Sequence, residues 1–202
     1  MSTLTAPSMF HQPMKGPAAL TSVEQYHAMI QAGAFAKNES VELLEGRLVP
    51  KMPKNPPHTI STRRTLRLIS EILPPQWEAD SQEPITTDDS EPEPDVSVVR
   101  AGARDHLGRH PIPTEIGKVV EVSDTTLVRD RGVKKVVYAR AAIAIYWIIN
   151  LVDRCIEVYT DPTGPMEKPD YRTCRIYVEN ETIPVTLDGV ELGTLEARQL
   201  LP

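Results

Sequence analysis

Cysteine is scarce in this 202-residue chain: Cys155 and Cys174 are the only two, and they form no Cys-x-x-Cys pair. That excludes a disulfide framework, effectively excludes a structural zinc site and suits a reducing, cytoplasmic setting. Positive charge is not in excess either. The 22 Lys and Arg residues stand against 28 Asp and Glu, so attachment to nucleic acid by overall charge is excluded and any such contact has to be local. Long apolar runs are missing as well. The most apolar stretch, Ala139 to Val152, is interrupted by Arg140 and falls short of the roughly 20 residues that cross a bilayer. No signal-peptide pattern, internal repeat or low-complexity block is visible.

What is present reads as one domain over residues 21–202, long enough for a full core. Residues 1–20, with Pro7, Pro13, Gly16 and Pro17 and no apolar period, read as a flexible tail. Thr21-Ser22 followed by Glu24 starts a helix that ends near Gly33. VELLEGRLVPKM reads as two short strands around a Glu45-Gly46 turn, with Glu42 and Leu44 on one face and Val41 and Leu43 on the other. Beyond Pro50, Pro53, Pro56 and Pro57, a second helix runs from about His58 to Leu73, with Leu66, Ile69 and Leu73 as its apolar stripe, and Pro74-Pro75 stops it. A strand and turn follow from Trp77 to Ser90, then PDVSVVR is a clear strand. Ala101 to Gly117 is a long loop, expected to be mobile beside a site. KVVEVS is so apolar apart from Glu121 that it belongs in the centre of a sheet, buried on both faces. A helix from about Thr126 to Ala141, a core strand from Ala144 to Leu151 and a hairpin of Cys155 to Thr160 with Tyr171 to Val178 follow. The remainder reads as a short edge addition.

Three groups of residues invite a chemical reading. Glu121 is an ionisable residue in a buried strand, and desolvating a lone carboxylate costs several kcal/mol. It needs either a salt bridge, to Lys118, Lys134 or an arginine, or a metal ion. Asp95 opens the earlier strand, either as a second acid of such a site or as an ordinary Pro-Asp strand entry. Asp130, Lys134 and Tyr138 share one helix face at four-residue spacing, which fits an ion pair along the helix or a lysine projecting toward Glu121. Lys135 points about 100° away from Lys134, so only one of the two can face the site. Arg63, Arg64 and Arg67 form the one compact basic group, as a solvated helix face or as phosphate contacts.

Three segments, VELLEGRLV, PDVSVV and VVEVSDTTLVRDRGVKKVVYARAAIAIYWIINLVDRCIEVY, taken in that order, resemble the Uma-type restriction endonuclease family, a bacterial group within the PD-(D/E)XK nuclease superfamily. The resemblance spans Thr21 to Tyr159. It implies an α/β (α+β) fold, a restriction-endonuclease-like mixed β-sheet flanked by helices. It also implies roles: Asp95 as the PD aspartate, Glu121 as the strand glutamate and Lys134 as a catalytic lysine that has migrated to the next helix, with Asp130 and Tyr138 beside it. Glu42 corresponds to the extra carboxylate of the early hairpin, Glu45 to a structural acidic-Gly turn and His58 to an auxiliary histidine. The chain departs from the commoner pattern in EVSDTTL, where many members carry a serine-proline segment, and in Lys135, where an apolar residue is usual.

The expectation that follows is Mg²⁺-dependent hydrolysis of DNA phosphodiester bonds, with Mn²⁺ as a substitute ion. Asp95, Glu121, Glu42 and the Val122 backbone carbonyl would hold the metal, Lys134 would stabilise developing negative charge, Arg63, Arg64 and Arg67 would contact nucleic acid, and a homodimer would cut both strands. Two other readings use the same residues: a non-catalytic nucleic-acid-binding or interaction protein on the nuclease scaffold, and a hydrolase of small phosphate esters.

Overall fold

The computed structural model describes residues 20–36 and 39–202. The tail expected for residues 1–20 lies, apart from Leu20, outside the described residues. Ser22 caps α1 (Val23–Gln31): its Oγ accepts from the Gln25 amide at 3.2 Å while Gln25 Oε1 accepts from the Ser22 amide at 2.9 Å, which satisfies two of the amides a helix start leaves unpaired. β1 (Val41–Leu44) and β2 (Arg47–Pro50) pair antiparallel around Glu45 and Gly46, whose φ angles of 49° and 68° are the left-handed pair that a two-residue hairpin turn requires.

α2 (Pro56–Ile72) begins with two prolines, tolerated where the first amides have no helical partner, and Asn55 caps it by accepting from the His58 amide at 3.0 Å. Its buried face differs from the stripe read from the apolar residues. Ser61, Thr62, Thr65, Leu68 and Ile69 are buried, with Leu66 and Leu73 at the margin. Hydrogen bonds offset the burial of two of these hydroxyls: Ser61 donates to the Leu200 carbonyl at 2.5 Å and Thr62 to the His58 carbonyl at 3.0 Å, while Thr65 Oγ1 has no partner among the described residues.

β3 (Trp77–Asp80), β4 (Val96–Arg100), β5 (Ile116–Ser123), β6 (Ile145–Asn150), β7 (Cys155–Pro162) and β8 (Tyr171–Val178) form one sheet in that spatial order. β5 and β6 are parallel and every other neighbouring pair is antiparallel. β5 is buried along its whole length, as its near-continuous apolar run requires of a central strand. A parallel pair needs a crossover. It is supplied by α3 (Leu127–Arg129), a wide π-type turn (Asp130–Lys134) kinked at Gly132, where φ is −102° and ψ −107°, and α4 (Lys135–Arg140).

The crossover lies on the sheet face that carries Val119 and Glu121. Val119, Tyr146 and Ile148 pack there against Val137, Tyr138 and Ala139. On the other face Val120, Val122, Trp147 and Ile149 pack against α2 and a second hairpin, β9 (Thr182–Leu187) with β10 (Val190–Glu196), closed by α5 (Ala197–Leu200). The C-terminal segment is therefore not an addition to the sheet edge. It is a separate two-stranded sheet whose Ile183, Val185 and Leu187 alternate inward and seal the second core. Close approach leaves Gly117 no room for a side chain, since a Cβ there would stand 2.7 Å from the Trp77 ring. No helix of the described residues is long and apolar enough to cross a membrane.

Candidate active site

β4 and β5 run antiparallel, with Val96 opposite Val120, so the start of one strand meets the end of the other. Asp95 at the entry to β4 consequently reaches Val122: Asp95 Oδ2 accepts from the Val122 amide at 2.9 Å. The same oxygen lies 3.1 Å from His58 Nε2 on the first turn of α2, and Lys54 Nζ stands 4.0 Å from Oδ1. Val122 thus touches Asp95 through its N–H. His58 is brought directly onto the aspartate.

Glu121 points to the crossover face, as its period with Val119 requires. Its Oε1 accepts from Lys134 Nζ at 2.9 Å and from Tyr138 Oη at 2.6 Å. Of the two explanations for a buried glutamate, the ion pair with Lys134 is present, and Lys118 lies on the opposite face over the Trp147 ring. Lys134 also lies 3.2 Å from Glu42 Oε2, so the β1 carboxylate joins the group. Lys135 turns away to Asp170, 2.8 Å distant. Asp130 Oδ2 accepts from Ser123 Oγ at 2.7 Å and Thr126 Oγ1 at 2.6 Å, which fixes the start of the π-type turn against the end of β5.

Burial dominates the electrostatics, and the crowded acids add to it. Burial pushes the Glu121 carboxyl up, Lys134 pulls it back down, and Asp130, Asp95 and Glu42 push upward again. Burial also raises Asp130. For Lys134 burial acts downward, but Glu121, Glu42 and Asp130 outweigh it and hold the ammonium well above its ordinary value. Burial, then Glu121, raises Tyr138, which stays a neutral hydroxyl donor.

Glu42, His58, Asp95, Glu121, Asp130 and Lys134 line one cleft, which also contains Lys51, Lys54, Glu93 and Arg129, while Tyr138 stands behind Glu121. Arg129 stands 3.6 Å from Glu42 Oε1 and donates to the Pro50 carbonyl at 3.1 Å, and Lys51 pairs with Glu93. None of these four was singled out from the sequence. Lys51 and Lys54 sit in an irregular proline-rich segment with no period to orient them, and Arg129 ends α3 just before the kinked turn, whose geometry local period does not predict. Arg63, Arg64 and Arg67 do not reach the cleft: Arg64 donates to the Leu201 carbonyl and Arg67 pairs with Glu71 at 3.0 Å. The long loop after β4 borders a different depression, beside α1.

Each cleft carboxylate commits one oxygen to protein donors and leaves the other without a hydrogen bond among the described residues. Glu42 Oε1 and Asp130 Oδ1 are buried without a hydrogen bond, with Arg129 3.6 Å from the former. Asp95 Oδ1 has only the distant Lys54, and Glu121 spends both its contacts on Oε1. Such oxygens suit a hard cation. Among the described residues no three cleft carboxylates bring ligand oxygens mutually within 4.8 Å, so an ion there would take at most two of them as they stand and need water at its other positions, a demand Mg²⁺ tolerates.

The sheet, its crossover and the flanking helices define the class: the fold is shared with a crystal structure from Anabaena variabilis described as a "putative nuclease". The TM-score is 0.66 over 89% of this chain and 96% of that one, at 14% sequence identity. The particular group follows from the family comparison. The model of the Uma2 family, "Putative restriction endonuclease", matches residues 23–195, and this chain belongs to that family. No curated protein matches it significantly.

Proposed function

We propose that this protein is a Mg²⁺-dependent endonuclease that hydrolyses phosphodiester bonds in DNA. The observation that carries the reading is a cleft with a buried lysine in which Glu42 Oε1 and Asp130 Oδ1 are buried without a hydrogen bond, and Asp95 and Glu121 each take their hydrogen bonds on one oxygen only. Asp95 and Glu121 would hold the ion, with Glu42 and the Val122 carbonyl as further donors at its margin. A bound Mg²⁺ would polarise the phosphate and lower the pKa of a coordinated water.

The chain's own residues supply the rest. Lys134, kept protonated by its three acidic neighbours, serves as an electrostatic stabiliser of charge developing on phosphate oxygens, and not as a base. Tyr138 and Lys134 fix the orientation of Glu121 by holding one oxygen. His58 and the Val122 amide do the same for Asp95. Lys54 and Arg129 give the acidic floor a cationic border where the flanking phosphates would lie. Cutting both strands of a duplex commonly uses two such clefts, which favours a homodimer.

The test is cleavage of supercoiled plasmid by the purified protein in Mg²⁺. Wild type nicks or linearises the plasmid, EDTA stops the reaction, Mn²⁺ restores it, and Asp95→Asn lowers the rate by two or more orders of magnitude. The rival reading, a nucleic-acid-binding scaffold without catalysis, is favoured by one feature: Lys134 already spends its charge on Glu121 and Glu42. DNA binding without metal-dependent cleavage would establish that rival and sink the enzyme.

A further inference from the structure

Glu91 is buried with no lysine or arginine beside it. Its side chain is 3% exposed, and among the described residues the only basic groups within 4.0 Å are two imidazoles, His27 Nε2 at 2.7 Å from Oε2 and His110 Nε2 at 4.0 Å from Oε1. Thr86 Oγ1 donates to Oε2 at 2.7 Å. The three residues come from separate parts of the fold: His27 from α1, Glu91 from a segment bridged to Leu43 of β1, and His110 from the loop between β4 and β5. One ligand atom of each lies within 4.8 Å of the other two. The group faces the depression beside α1, which His106 also lines, and shares no residue with the cleft of Asp95 and Glu121.

We infer that His27, Glu91 and His110 form a binding site for a divalent transition-metal ion of the zinc class. Two imidazoles and one carboxylate are a borderline donor set that suits Zn²⁺ and its neighbours, whereas Mg²⁺ prefers oxygen alone. Ligand atoms around a tetrahedral zinc stand about 3.3 Å apart, given metal–ligand bonds of roughly 2.0–2.2 Å. The imidazoles approach the two oxygens of Glu91 at 2.7 and 4.0 Å, and one donor atom from each residue lies within 4.8 Å of the others. Seating an ion therefore asks for shifts of about 1.5 Å or less, within reach of rotation by the two partly exposed imidazoles. Thr86 supplies the outer hydrogen bond that a ligating carboxylate carries. Three protein ligands leave a fourth position open toward the depression. The ion would tie α1 and the loop after β4 to the segment that continues through Glu93 to Asp95, and so brace the entry to β4. The scarcity of cysteine bears on thiolate zinc sites only, and does not touch this one.

Co²⁺ is the probe, because its visible absorption reports nitrogen ligation. It is titrated into untagged, metal-free, full-length protein in excess Mg²⁺, and Zn²⁺ is then added. Wild type and Asp95→Asn each take up one equivalent, Zn²⁺ displaces it, and His27→Gln and His110→Ala, both folded by circular dichroism, bind at least tenfold more weakly. Three results would overturn the site: unchanged affinity in the histidine variants, loss of binding in Asp95→Asn, or no uptake of Co²⁺ or Zn²⁺ by wild type at micromolar concentration.

Discussion

Lys134 Nζ lies 2.9 Å from Glu121 Oε1, and both residues are 3% exposed. Breaking such a pair strands the remaining charge away from water, at a cost of about 3–5 kcal/mol. Lys134→Met is therefore expected to destabilise strongly, because Glu121 loses its cation and Glu42 is left with Arg129 alone. The double variant Glu121→Gln with Lys134→Met should recover part of the loss. Urea unfolding in a double-mutant cycle measures this, and single effects that simply add, within about 0.5 kcal/mol, would show that the two residues are not coupled. Alanine at either position makes a poor catalytic test for the same reason, since loss of folding would mimic loss of chemistry.

Lys118 poses the opposite case, a buried cation with no carboxylate. Its Nζ lies 4.0 Å over the Trp147 ring and lacks a hydrogen-bond partner among the described residues, and burial pulls its pKa from 10.5 to about 7. The unfolded chain then holds the proton more tightly than the folded one. Stability is accordingly lowest below about pH 7, rises as the pH climbs toward 10.5 and levels off beyond it. Lys118→Met is expected to be more stable at neutral pH by ~1–3 kcal/mol and to lose that slope. Urea unfolding of both proteins across the window decides it, and an equal slope in the variant contradicts the assignment.

The cationic border of the cleft, and not the arginine group of α2, should carry phosphate contacts. Lys54→Ala is expected to weaken DNA binding about equally across sequences and to reduce the slope of log affinity against log salt by about 1. Arg67→Ala, which removes a residue paired with Glu71, should leave both unchanged. Fluorescence anisotropy over a salt series reads both quantities. A larger loss in Arg67→Ala than in Lys54→Ala would move the contact surface to α2.

Much of the fold and the centre of the site were legible because local period carries them. The unbroken apolar run around Glu121 marked a central strand, and four-residue spacing put Asp130, Lys134 and Tyr138 on one side and Lys135 on the other, even across the π-type turn. Where period is silent the reading failed. The buried face of α2 mixes Ser61, Thr62 and Thr65 with Leu68 and Ile69, so apolar period alone does not mark it, and the C-terminal hairpin is short enough to look peripheral although it closes half the core. Lys54 and Arg129 owe their places to a proline-rich loop and a kink. The cluster of His27, Glu91 and His110 has no local signature at all, since only the tertiary fold brings those three segments together.

The central claim is that Asp95 and Glu121 hold the ion of one nuclease site. Crystals of the protein soaked in Mn²⁺ test it most directly, because anomalous scattering locates the ion independently of activity. The account predicts a single strong peak in the cleft, bonded at about 2.2 Å to the unpartnered oxygens of Asp95 and Glu121, with the remaining positions taken by water and lost in Asp95→Asn crystals. A cleft that stays free of Mn²⁺ at millimolar concentration while Lys134 keeps its contacts with Glu121 and Glu42 would contradict it.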